Sequence, residues 1–122
     1  MQNTSLITIK DNQTAFIPYL VAGHTSNEVF SSALRLLNDV GADLIEIGIP
    51  FTDPIAEGKI IESAHHHALK NDFVLDDVCQ IVKEFRTYSD IPVIAMGYTN
   101  SFINPSSELI ATKLSELSLI HI

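Results

Sequence analysis

Short apolar runs alternate along this chain with longer stretches in which apolar residues return every three or four positions. These are the respective marks of buried strands and amphipathic helices. The run over 16–21 predicts a first strand, after which Ala22-Gly23-His24-Thr25-Ser26 supplies turn chemistry and a helix cap before Asn27. Val29, Phe30, Ala33, Leu34, Leu36, Leu37 and Val40 then keep helical spacing, with Gly41 as the stop. A second strand is predicted over 43–49, followed by a loop to Gly58. A helix over 59–70 carries Ile60, Ile61, Ala64, Ala68 and Leu69 and is broken by Asn71-Asp72. Another amphipathic stretch, 75–88, places Val78, Cys79, Ile81, Val82 and Phe85 on one side. Residues 91–96 read as a third buried strand with Pro92 at its start. Ser106 or Ser107 caps a last helix over 108–117.

Strands alternating with helices at this spacing require parallel βα units whose apolar strands are covered by their crossovers. An open Rossmann-like sheet would want a glycine-rich turn after the first strand, and Ala22-Gly23-His24-Thr25 offers a single glycine. The reading is therefore α/β: the N-terminal part of a (β/α)8 barrel, about three βα units with parallel strands. Residues 1–122 form a single partial domain, without internal repeat, linker or low-complexity segment. The tail Ser118-Leu119-Ile120-His121-Ile122 could begin a fourth strand. A barrel of this type needs roughly 250 residues, with its phosphate site usually on the loops after strands seven and eight, so the chain alone is expected to be inactive. Unpaired strand edges should make it aggregate, pair or stay partly molten.

Composition narrows the partners. The formal net charge of -8 disfavours nucleic acid and anionic membrane, which repel an acidic surface, and favours a small molecule or a protein. No apolar run approaches the roughly 20 residues of a membrane span. The N-terminus lacks the basic-then-apolar pattern of a signal peptide. One cysteine, Cys79, excludes an internal disulfide and reads as a small buried helix residue. A cytoplasmic, reducing setting follows.

The densest chemistry lies over 44–58. Alternation puts Ile45, Ile47 and Ile49 on one strand face and Leu44, Glu46 and Gly48 on the other. Both faces are expected to be buried, a costly place for a charge. In a βα barrel, functional groups gather at the C-terminal ends of the strands, and Glu46 approaches such an end on the inward side. A surround of Leu44, Phe16 or Tyr19, and Met96 would favour its protonated form and let it donate as well as accept a proton. The competing structural role is a buried glutamate paired with Lys or Arg, and no basic residue lies on the predicted strands.

Asp53 and Glu57 sit in a loop stiffened by Pro50 and Pro54, where spacing alone favours helix capping over chemistry. His65-His66-His67 invites a metal reading. Consecutive helix positions point about 100° apart, so three neighbours cannot converge on one ion, and a solvated helix face is the better account. Neither a metal nor a cofactor is expected. His24 reads as a turn residue. Tyr98 and Asn100 follow the third strand, where a phenol and an amide could line a pocket, contact a partner, or do neither.

Glu46-Ile47-Gly48-Ile49-Pro50-Phe51-Thr52-Asp53-Pro54 and Ala56-Glu57-Gly58 resemble the signature of the tryptophan synthase alpha subunit family. The resemblance extends from Phe16-Ile17-Pro18-Tyr19 and Ala22-Gly23 through Gly41-Ala42-Asp43 and 61–69 to Tyr98-Thr99-Asn100, which is similar to that family's Tyr-x-Asn. It implies a (β/α)8 barrel that cleaves indole-3-glycerol phosphate to indole and glyceraldehyde 3-phosphate in tryptophan biosynthesis, with a beta subunit as partner in a heterotetramer. It further implies that Glu46 is the general acid-base group, that Glu57 stands where the family has a catalytic aspartate accepting the indole N–H, and that Tyr19 and Tyr98 meet substrate. Pro50, Asp53 and Asn100 match segments that contact the beta subunit. Lys59 stands where the family has proline, within reach of Glu57. The alternatives are a non-catalytic module that binds a beta subunit, and another phosphate-binding βα-barrel enzyme.

Overall fold

A computed structural model describes residues 13–103, 106–117 and 119–121. The elements run β1 (Tyr19–Val21), α1 (Asn27–Asp39), β2 (Ile45–Gly48), α2 (Lys59–Lys70), α3 (Leu75–Phe85), β3 (Val93–Met96), α4 (Thr99–Ile103), α5 (Ser107–Glu116) and β4 (Leu119–His121). The strands form one parallel sheet in the order β1-β2-β3-β4. Each strand thus lies beside its predecessor in the chain, without the reversal of order that defines a doubly wound sheet. The fourth strand is real, although Ser118 and Ile122 at its margins lie outside the described residues.

Local chemistry sets the boundaries. Ser26 caps α1 by accepting the Val29 N–H at 3.3 Å, and Gly41, at a φ of 80°, takes the left-handed turn that ends it. Ser106 caps α5, accepting the Leu109 N–H at 3.2 Å. Asp77 reaches back to the Val74 N–H at 2.9 Å at the start of α3. The short helix α4 had no apolar period to announce it. The strands are shorter than expected because their first residues are held by other means, as where the Phe16 N–H donates to the Asp43 carboxylate at 2.7 Å.

The two faces of the sheet are covered unequally. Ile45, Ile47, Ile49, Val93 and Ala95 pack against Phe30 and Leu34 of α1, Val78, Ile81, Val82 and Phe85 of α3, and Ile110 and Leu114 of α5. Burying side chains of this kind contributes roughly 1.5–3 kcal/mol each, so this outer face holds the main core. The opposite, inner face carries the registered row Tyr19, Glu46 and Ile94, all only half-buried. Glu46 therefore does not occupy the fully buried position that the apolar flanks suggested. Helix α2 closes part of this face, where Ile61, Ala64 and Ala68 pack on Tyr19 and Val21. Cys79 is half-buried on α3 rather than enclosed.

Candidate active site

Glu46 is placed by β2, with Tyr19 beside it on β1 and Ile94 on β3. Among the described residues, Lys113 and Asp76 form an ion pair, and neither Glu46 nor Glu57 has one. The purely structural role for Glu46, pairing with a base, is not realised there. Tyr19 leans along the inner face over Gly48, where a Cβ would stand 2.8 Å from its Cζ and closer still to Oη. Only a glycine leaves room for the phenol at the C-terminal end of β2. Burial pushes the Tyr19 phenol up to about 12, with the Glu57 and Glu46 charges and Tyr98 adding to it. The phenol therefore stays protonated as a neutral donor at physiological pH.

The loop between β2 and α2 is fastened at three points. The Phe51 N–H donates to His65 Nδ1 at 3.0 Å, and the Ala56 N–H donates to Tyr98 Oη at 3.0 Å. The Tyr98 ring stacks on Phe51 with centroids 4.8 Å apart. Tyr98 is thus engaged with loop backbone, in addition to any contact with a ligand. Pro54 is buried, Pro50 half-buried, and Asp53 and Asn100 exposed. The Asp53 carboxylate accepts the Thr52 hydroxyl at 3.2 Å.

Helix α2 is capped by Gly58 with no side-chain bond, so neither Asp53 nor Glu57 serves as its cap. Glu57 instead brings a buried Oε1 to the inner side, without a hydrogen-bond partner. Lys59 is exposed and forms no ion pair with it among the described residues. The histidine run is not a uniformly solvated face. His66 and His67 are exposed, but His65 is 0% exposed. The signal was present in the sequence, because Ile61, Ala64, His65 and Ala68 make one i, i+3, i+4, i+7 stripe. Among the described residues, no three His, Cys, Asp or Glu side chains gather to hold a metal ion.

A carboxylate on β2, a second one on a fastened loop and a phenol on the neighbouring strand can hand protons to and from a ligand on the inner face. A family model for the tryptophan synthase alpha chain matches residues 7–120. The chain belongs to the tryptophan synthase alpha chain family. It is 49% identical over 86 residues to the tryptophan synthase alpha chain of Thermococcus kodakarensis, covering 70% of this chain and 34% of that one. A crystal structure of tryptophan synthase subunit alpha from Legionella pneumophila superposes with a TM-score of 0.83 at 37% identity, covering 88% of this chain and 41% of that one. A structure of the tryptophan synthase α2β2 complex of Pyrococcus furiosus gives a TM-score of 0.81 at 38% identity, covering 86% and 43% respectively. The chain spans about a third of the length of the curated tryptophan synthase alpha chains it matches. Its four parallel strands and their helices are the N-terminal part of that family's (β/α)8 barrel.

Proposed function

We propose that this chain supplies the acid-base half of an active site that cleaves indole-3-glycerol phosphate to indole and glyceraldehyde 3-phosphate. The observation that supports it is the grouping of Glu46, Glu57 and Tyr19 on the inner face, with Glu46 and Tyr19 in register on neighbouring strands and Glu57 on the loop that follows β2. There Glu57 Oε1 and Tyr19 Oη are buried with no protein partner. Protonated Glu46 delivers its proton to the ring carbon that bears the glycerol chain. The positive charge that develops toward the ring nitrogen is met by the Glu57 carboxylate, which accepts the indole N–H. Glu46, now ionised, takes the proton of the adjacent glycerol hydroxyl as the carbon–carbon bond breaks and its electron pair restores the ring. One proton is given and one regained, so Glu46 ends as it began.

Tyr19 and Tyr98 border the ring, and residues 1–122 make up one partial domain in a cytoplasmic setting. The described helices include none long and apolar enough to cross a membrane. The test is indole release from indole-3-glycerol phosphate by the chain alone and with the remaining strands of the Thermococcus kodakarensis relative added. Release is expected only in the completed barrel, and Glu46→Gln should lower it by about 100- to 10,000-fold. No release in either case, or an indifferent Glu46→Gln, overturns the proposal.

A second reading, a module that binds a beta subunit, draws on Ile55 and Ile60, which are 91% and 87% exposed on and beside the fastened loop. Asp53 and Asn100 are exposed too. Apolar side chains held out on a stiff loop suit a protein partner. Co-purification with a beta subunit, lost in Ile55→Ser, is the expected result for this reading.

A further inference from the structure

His65 takes no part in the reaction above, yet it is wholly buried. Its Nδ1 accepts the Phe51 N–H at 3.0 Å. A ring nitrogen that accepts carries no hydrogen, so the neutral imidazole has its proton on Nε2. That Nε2 is buried without a partner, and native folds rarely leave a buried donor so. After burial, the Glu57 charge is the largest influence on the ionisation of both His65 and Tyr19. Glu57 Oε1 is itself a buried acceptor in want of a donor.

We infer that His65 is a positioning residue whose Nε2–H donates to the Glu57 carboxylate, while its Nδ1 holds the loop backbone at Phe51. The inference rests on the reading of Glu57 as a site residue. One imidazole then ties both ends of the β2–α2 loop to α2. The Glu57 backbone is fixed by its N–H to the Pro54 carbonyl at 3.0 Å, which leaves its side-chain torsions as the freedom through which this bond would form. A donor at Nε2 orients the other Glu57 oxygen for a ligand N–H. The titratable groups that act on His65 are Glu57 from the loop and His66 from its own helix.

The test uses the full chain labelled with 15N-histidine and read by NMR at neutral pH. His65 should carry its proton on Nε2, as a slowly exchanging resonance. Glu57→Gln should speed that exchange by about tenfold or more, the loss of a charge-assisted bond. An Nε2–H that exchanges like free imidazole in the unsubstituted chain overturns the inference without recourse to a variant. So does an exchange rate unchanged in Glu57→Gln. Absence of indole release overturns the proposed function and leaves these resonances as they were, so the two failures are distinguishable.

Discussion

Gly48→Ala places a methyl group against the Tyr19 ring. The new Cβ would stand 2.8 Å from Cζ and 3.2 Å from Cε2, with Oη nearer still. Cζ is about 0.6 Å short of the 3.4 Å of ordinary contact, so the ring must swing away from Gly48. Forcing a packed side chain aside costs about 1–3 kcal/mol. Gly48 has no positive φ, so alanine is conformationally allowed there and recovers about 0.4–1 kcal/mol by restricting the unfolded chain. The expected net loss in urea-induced unfolding is about 1–2 kcal/mol. Tyr19→Leu lacks the Cζ, Cε2 and Oη that make the clash, and in that background Gly48→Ala should be neutral or stabilising by up to about 1 kcal/mol. An equal cost in both backgrounds would refute the reasoning that Gly48 exists to seat the phenol.

Burial holds the His65 imidazole below its ordinary 6.5, with the Glu57 charge opposing and His66 assisting. The unfolded chain therefore takes up this proton near 6.5 while the folded chain resists it. The contribution is fully present above that pH and lost as pH falls below it. Urea midpoints should drop from pH 7.5 to 5 in the parent and drop less in His65→Gln; parallel drops would disprove the assignment. Tyr98→Phe keeps the stack on Phe51 but removes the acceptor for the Ala56 N–H, so that amide should exchange about fivefold faster, with unchanged exchange counting against the clamp. Arg86 donates to the carbonyls of Leu117 at 3.1 Å, Ser89 at 3.3 Å and Ile91 at 2.7 Å. Arg86→Met should therefore cost about 3 kcal/mol in urea unfolding, and a loss below about 1 kcal/mol would mean these carbonyls turn readily to water.

The apolar pattern by itself determined the βα alternation, because burying one face of a strand or helix imposes a period that is written locally. It also put Glu46 on the face opposite Ile45, Ile47 and Ile49, and the 44–58 run resembles the family to which the chain belongs. Tertiary structure alone decided which stripes meet something. His65 sits in a stripe with Ile61, Ala64 and Ala68, but whether that stripe faces solvent or strand depends on where α2 docks, and α2 docks on the inner face at β1. Glu57 and Asp53 have the spacing of helix caps, yet Gly58 caps α2 and Glu57 turns inward. The bond from Ala56 to Tyr98 spans 42 positions, and no local periodicity encodes a contact at that separation. The sequence therefore marks the carboxylates, whereas packing between distant segments sets which donors stand around them.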